Sequence, residues 1–154
     1  MVKIGHICLT PPGNDISEHF AALVEALDRH GTDQHVLVAS VMLAKRLAAC
    51  QNVTVGPVVR TPVMAYCLMP DVELAHVHES KSGQAGLLLT LTRSIPFVIT
   101  TAGSNNNKLN PLTRSVLRRA AHTIVRSATA PGNQAAREHI GIYHDVLSDR
   151  QQSA

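Results

Sequence analysis

The sequence predicts one α/β domain, in which a doubly wound parallel sheet is covered by helices on both faces. Short apolar runs rich in β-branched residues alternate with helical patterns along the chain. Several of the strand runs are continuously apolar, which is typical of parallel strands that are buried on both faces. A length of 154 residues suits one ordinary domain. The predicted fold is therefore a single Rossmann-like domain.

The first half of the chain predicts three strands and two helices. VKIGHICL is the first strand, and the turn TPPGND ends it. The next helix, SEHFAALVEALDRHG, closes at Gly31 and has one apolar face, formed by Phe20, Leu23, Val24 and Leu27. The segments that follow are a strand HVLVAS, a helix VMLAKRLAAC and a strand VTVGPVV with a Gly-Pro interruption.

The second half predicts three more strands and three more helices. The strands are VELAHVH, IPFVITT and HTIV, and the helices are SGQAGLLLTLTR, PLTRSVLRRAA and GNQAAREHI. SNNNKLNP is predicted as a long polar loop after the fifth strand. The domain is expected to cover residues 1–142, and residues 143–154 are expected to form a frayed polar tail.

The composition excludes some classes of protein. With two Phe, two Tyr and no Trp, the chain lacks the aromatic side chains that stack on bases, and no nucleic-acid partner is predicted. The three cysteines lack C-x-x-C spacing and are expected to be buried free thiols in a reducing cytosol. The opening residues do not resemble a signal peptide, and no apolar run is long enough to cross a membrane. A cytoplasmic location is therefore predicted.

Three polar loops leave strands of the predicted sheet: TPPGND, HESKSG and TAGSNNN. Because the carboxyl ends of parallel strands share one edge, these loops should meet where open α/β sheets bind ligands. No catalytic residue is assigned in them. The candidate ligand-binding residues are Gly13, Asn14, His78, Glu79, Ser80, Gly103 and Ser104.

The segment AHVHESKSGQAG admits several interpretations. His76 and His78 point to the same side of a strand, but a metal site needs a third converging ligand, and no H-E-x-x-H, C-x-x-C or second H-x-H occurs. No metal is therefore predicted. Ser80 lacks the G-x-S-x-G context of a nucleophile. We expect His76 to pack in the sheet, Ser80 or Ser82 to cap the next helix, and His78 and Glu79 to face the cleft.

The first loop is not a dinucleotide fingerprint, because Gly13 stands alone and G-x-G-x-x-G is absent. A classical NAD site is not expected, and no cofactor is predicted. A nucleotide-binding Rossmann protein unrelated to sugars remains an alternative on fold analogy alone.

The segment DVELAHVHESKSGQAGLLLTLTRSIPFVITTAGS resembles the amino-terminal domain of family-four-type glycosyltransferases with the GT-B architecture. That family has a D-V-x-H-x-H strand, a polar turn, a helix and a short x-I-P-x-V-x-T strand. Asp71, His76, His78 and residues 95–100 follow this pattern in order and spacing. The flanking VKIGHICL, EHFAALVEALDRHG and RRAAHTIVRSATAPGNQAAREHIGI are similar to the family's other elements.

The resemblance implies an acceptor-side half of a retaining glycosyltransferase that builds polysaccharide. In that family the amino-terminal domain binds the acceptor, a second domain holds the nucleotide-sugar co-substrate, and typically no metal is needed. The second domain and its E-x7-E motif lie outside these residues, so this chain is not expected to be active alone. The implied partners are a donor-binding domain or subunit, or a homo-oligomer, together with a glycan or lipid-linked acceptor.

Three departures from the family pattern favour an alternative. Ala102 stands where the family has a histidine, only Gly13 remains of its paired glycines, and Ala121-His122 replaces an acidic residue. The alternative is a stand-alone, non-catalytic module that binds a glycan, a nucleotide or a partner protein. Whether the chain belongs to an enzyme is left open by the sequence.

One helix face is basic. Arg114, Arg118 and Arg119 fall on one side of the fourth predicted helix, PLTRSVLRRAA. This pattern is that of a solvated helix or of a contact with anionic lipid heads or phosphorylated acceptors. A nucleic-acid contact is the third alternative, and no recognised motif supports it. The second interpretation predicts a peripheral position at the inner face of a membrane.

Overall fold

The computed structural model of the chain describes residues 2–11, 13–102, 110–125 and 133–152. Within them, six strands alternate with six helices. The strands are β1 (Lys3–Cys8), β2 (Asp33–Val38), β3 (Val53–Val55), β4 (Leu74–His78), β5 (Phe97–Thr101) and β6 (His122–Val125). The helices are α1 (Asp15–Arg29), α2 (Val41–Leu47), α3 (Pro62–Leu68), α4 (Glu79–Arg93), α5 (Pro111–Arg119) and α6 (Asn133–Gln152).

The six strands form one parallel sheet in the order β3-β2-β1-β4-β5-β6. The order reverses between β1 and β4, where Cys8 lies opposite His78. On one face α1 contacts α2 and α6, whereas on the other α4 contacts α3 and α5. The predicted Rossmann-like, doubly wound fold is therefore confirmed.

Helix α1 follows its sequence pattern closely. The four apolar residues predicted for its inner face are fully buried. The side chain of Asn14 caps the helix, because its Oδ1 accepts hydrogen bonds from the amides of Ile16 and Ser17 at 3.0 and 2.9 Å. Gly31 adopts a φ of +72°, which suits the glycine that the sequence places just beyond the helix end.

Helix α4 packs very closely on the sheet because its inner face carries glycines. A Cβ atom at Gly86 would lie 2.7 Å from the ring of Phe97, and one at Gly83 would lie 2.5 Å from Val116. The small residues therefore allow α4 to approach β5 and α5 at a distance that larger side chains would prevent.

Helix α3 has no counterpart among the predicted helices. It is only seven residues long, and its exposed first turn gives no amphipathic pattern. Its signal was local: Thr61 accepts a hydrogen bond from the amide of Met64 at 3.2 Å, and Pro62 occupies the first turn. Strand β3 also ends sooner than predicted, at Val55, because Gly56 and Pro57 follow it.

The expected tail after Ile142 is wrong, because α6 continues to Gln152. Tyr143 is buried, and Val146 and Leu147 pack against the core between the sheet and α1. These apolar residues recur at helical spacing among polar ones, so a segment that is polar on average still has an inner face. In the described ranges, neither this helix nor any other is both long and apolar enough to cross a membrane.

The three cysteines are free, but they are not all buried as the sequence predicts. Cys8 is buried in β1, Cys50 is partly buried and Cys67 on α3 is exposed. The exposure of Cys67 was not predicted because helix α3, on which it lies, was not predicted.

Candidate functional site

In doubly wound sheets the ligand crevice lies at the carboxyl edge where the strand order reverses, which in this chain is between β1 and β4. The chain leaves β1 toward α1 on one face and leaves β4 toward α4 on the other. This places Gly13 and Asn14 on the same edge as Glu79 and Ser80, as the sequence predicts for these two loops. The neighbouring β5 ends at the same edge, where Thr100 lies opposite His78. The candidates Gly103 and Ser104, in the loop beyond β5, lie outside the described residues.

The loop after β1 can present main-chain groups to a ligand, but few side-chain groups. Gly13 has a φ of +81°, and apart from its chain neighbours no atom of the described residues lies within 4 Å of the position that a Cβ would take. A ligand can therefore approach the main chain there. The side-chain oxygen of Asn14 is already engaged in capping α1, which makes a structural role its main one.

The β4 loop has an unusual backbone. Glu79, the first residue of α4, adopts a φ of +67°, a left-handed conformation that costs a non-glycine residue free energy. Glu79 and Ser80 are both half-buried. Strained backbone of this kind clusters at functional sites, which makes Glu79 a candidate for a functional role.

The first turn of α4 is joined to the end of β1 by a hydrogen bond. The predicted cap by Ser80 or Ser82 is wrong, because both serines lie within the helix, and the Oγ of Ser82 instead accepts a buried hydrogen bond from the amide of Leu9 at 3.1 Å. The N-cap residue, His78, makes no side-chain capping bond either. This bond joins the residue after β1 directly to the first turn of α4.

His78 lies in the interior and not at the cleft exit where the sequence places it. Its side chain is 1% exposed and packs against Phe20 of α1, with ring centroids 4.7 Å apart. The physical reason is that His78 still belongs to β4, so its side chain points to the face that α1 covers. His76 packs in the sheet as predicted, with its Nδ1 2.6 Å from the Tyr143 hydroxyl and its Nε2 2.7 Å from Thr100 Oγ1.

Three buried histidines lie together beneath the crevice. His6 is opposite His76 in the register of β1 and β4, and His78 follows on the same face. The ring centroid of His6 lies 5.4 Å from that of His76 and 5.9 Å from that of His78. The centroids of His76 and His78 are 4.2 Å apart. The sequence did not bring His6 into this group, since it lies seventy residues upstream and only the strand order joins them.

Burial keeps these imidazoles neutral. It lowers the pKa of His6 to about 3, helped by the nearby His139, and it lowers the pKa values of His76 and His78 well below their usual range. Both ring nitrogens of His6 and the Nε2 of His78 have no hydrogen-bond partner among the described residues. A neutral imidazole with a free nitrogen is the form that binds a metal ion.

A shallower pair of clefts adjoins the opposite edge of the sheet. Their volumes are about 450 and 460 Å³, and they lie between α6 and the beginning of β1. Both clefts have apolar and polar lining residues, and the cleft of about 450 Å³ is lined in part by Ile4, Leu147, His30, Glu73 and His144. No sequence motif predicted them.

Exposed apolar side chains concentrate at the carboxyl edge. Met42, in the first turn of α2, is 75% exposed. The others at this edge are Val41 in α2, Val63 and Met64 in α3, Leu112 in α5, and Val125 at the end of β6. Since α2 lies on one face of the sheet and α3 and α5 on the other, these side chains stand on both sides of the crevice.

No protein-family model matches this chain, and no curated protein sequence matches it either. Four structural features define the site. They are the crevice at the strand-order reversal, the left-handed backbone at Glu79, the histidine cluster below the crevice, and the exposed apolar side chains along the carboxyl edge, here called the apolar border.

Proposed function

We propose that this domain is the acceptor-side half of a retaining GT-B-type glycosyltransferase. It would hold a glycan or lipid-linked acceptor in the crevice while a donor-binding domain or subunit, docked on the carboxyl edge, supplies the nucleotide-sugar. The observation that carries the proposal is the apolar border, which lies at the edge where the crevice opens.

Exposed methionine and valine side chains in contact with water gain free energy when a partner covers them, at roughly 25 cal/mol per Å² of apolar surface. Here they stand on both faces of the sheet, so one partner covering them would also span the crevice. Such a cover would exclude water, which a transfer reaction requires if the sugar is to reach a hydroxyl group and not be hydrolysed.

The crevice itself suits an uncharged, hydroxyl-rich ligand. It offers open backbone at Gly13, a carboxylate at Glu79 and a hydroxyl at Ser80. These groups form hydrogen bonds with sugar hydroxyls, and a small number of fixed polar groups gives a binding site its orientation. Arg118 and Arg119 are exposed on α5 and suit an anionic membrane surface that carries a lipid-linked acceptor.

A second candidate is a non-catalytic module that binds a glycan, a nucleotide or a partner protein, including a second copy of itself. One observation favours it: Ala102, an exposed residue just beyond β5, provides no group for proton transfer. His78, which pairs with Thr100 of β5, is buried and cannot take that role.

The test uses the tagged full chain, recovered from its source cells with whatever it binds. The recovered complex should transfer labelled sugar from a nucleotide-sugar, whereas the purified chain alone should not. Met42→Glu with Met64→Glu should abolish both association and transfer. Leu91→Glu is the matched control, because Leu91 is equally exposed apolar surface but lies in the last turn of α4, away from the carboxyl edge.

The acceptor role is tested separately by backbone amide NMR on the isolated chain. Oligosaccharide acceptors should shift the amide signals of Gly13, Glu79 and Ser80. Shifts without any transfer by the complex would favour the binding module. No shifts and no transfer would overturn the glycosyltransferase proposal.

A further inference from the structure

We propose that His6, His76 and His78 form a buried binding site for one divalent transition-metal ion, with Zn²⁺ as the best-fitting ion. One ring nitrogen from each histidine lies within 4.8 Å of the others, and all three side chains are buried. The site is independent of the proposed function, because it lies below the crevice and needs neither acceptor nor partner.

The geometry is close to that of an occupied site. Three histidines are an established ligand set for zinc, with Zn–N distances of about 2.0–2.1 Å, so that ligand nitrogens stand about 3.3 Å apart in a tetrahedron. The present nitrogens lie within 4.8 Å of one another, so closing around an ion requires each of them to move by up to about 1 Å. Two neighbouring strands hold the Cα atoms in place, since His6 and His76 are register partners.

The unpaired nitrogens are the second observation. Leaving a buried polar atom without a partner costs about 1–3 kcal/mol. Three such atoms belong to this cluster: Nδ1 and Nε2 of His6, and Nε2 of His78. A leucine or phenylalanine at these positions would avoid the cost, and a bound ion removes part of it by taking a lone pair from each ring.

The ligand chemistry selects the class of ion. Imidazole nitrogens suit zinc, copper, nickel and iron, whereas magnesium and calcium need oxygen ligands. No carboxylate takes part in the group of three. The low pKa values keep the rings in the deprotonated form that a metal requires, so no proton must be expelled near neutral pH.

His76 also has groups that would orient it. Its two nitrogens contact the hydroxyls of Tyr143 and Thr100. When one nitrogen binds the ion, the hydroxyl on that side turns away and the other keeps the ring in place, as outer-shell partners of histidine ligands do. Through Tyr143, an ion would also link β1 and β4 to α6.

The test is metal loading of the full chain. Because the ligands are fully buried, the protein is unfolded with guanidinium and a chelator, then refolded with Zn²⁺ in slight excess. After gel filtration, elemental analysis should find one zinc per chain, and the Tm should exceed that of protein refolded with chelator. His6→Gln and His78→Gln should each lower zinc affinity at least about tenfold.

His122→Gln is the matched control, because His122 is exposed on β6, and it should bind zinc like the wild type. No zinc in the wild type, or undiminished zinc in His6→Gln and His78→Gln, would overturn the proposal. Should those variants fail to fold, Co²⁺ loading of the wild type decides: a visible spectrum of nitrogen-ligated, tetrahedral cobalt supports the site, and its absence overturns it.

Discussion

The hydroxyl of Tyr143 lies 2.6 Å from Nδ1 of His76, a contact that joins the last helix to the centre of the sheet. Both side chains are buried, and burial raises the pKa of Tyr143 above its usual range, so the hydroxyl keeps its proton. Helix α6 is therefore part of the core and not an appendage to it.

Replacing Tyr143 with phenylalanine should lower the free energy of unfolding by about 1–3 kcal/mol, because Nδ1 of the fully buried His76 would lose its hydrogen-bond partner. Guanidinium denaturation of metal-free protein measures this. Tyr66→Phe is the control: its hydroxyl contacts Thr92 at 3.0 Å in an exposed position, and its loss should cost less than about 0.5 kcal/mol. Equal losses for both variants would contradict a structural role for the Tyr143–His76 contact.

Two helical glycines should respond to alanine with opposite signs. Gly86→Ala places a Cβ 2.7 Å from the ring of Phe97 and 3.1 Å from Val77, so we expect a loss of about 1–3 kcal/mol from overpacking. In Gly141→Ala, in α6, the added Cβ meets no atom within 4 Å among the described residues outside its own helix turn, so this variant should gain about 0.5–1 kcal/mol from helix propensity. Thermal and guanidinium unfolding of both variants provide the comparison. A gain for Gly86→Ala would show that α4 can move away from β5.

The periodicity of the sequence predicts the sheet well. All six strands lie where apolar, β-branched runs occur, because burial on both faces imposes that composition on parallel strands. Long helices with one apolar face were equally clear, as α1 shows. Short α3 and the end of α6 escaped prediction, since the first has only cap residues to mark it and the second is polar on average.

The site was predictable only where it depends on strand ends. The loops at Gly13 and Glu79 follow from the rule that parallel strands open at one edge. That rule does not predict that His6 lies beside His76 and His78. Predicting this group requires the order and register of β1 and β4 and the face of the sheet to which each side chain points. The conformation of Glu79 has no local signal either, since glutamate is not a residue that favours a positive φ.

Metal-free protein should lose stability in mild acid. The pKa of His6 is about 3 in the folded chain and near 6.5 in the unfolded chain. Between these two pH values the unfolded state binds a proton at His6 that the folded state does not bind. Stability is then complete above pH 6.5 and declines as the pH falls from 6.5 toward 3, by about 1.4 kcal/mol per pH unit for each such histidine.

Denaturation between about pH 5 and pH 7.5 in the presence of a chelator measures this slope. His6→Leu should make it shallower, because one of the buried titrating groups is removed. His122→Leu should leave it unchanged, since that side chain is exposed. A slope that is the same in all three proteins would contradict the burial of His6 as its cause.

The left-handed backbone at Glu79 should lower the free energy of unfolding by a measurable amount, and we expect the conformation to serve oligosaccharide recognition. Ser94, the exposed C-cap of α4, has a similar φ of +54°, so Ser94→Gly should gain about 0.5–1 kcal/mol by relieving the same strain. Glu79→Gly should relieve its backbone equally but weaken the amide shifts caused by oligosaccharides, whereas Ser94→Gly should leave them intact. Glu79→Gln keeps the backbone and removes the charge, so it separates carboxylate chemistry from strain. If Glu79→Gly gains stability and binds oligosaccharides as the wild type does, the strained turn has no part in recognition.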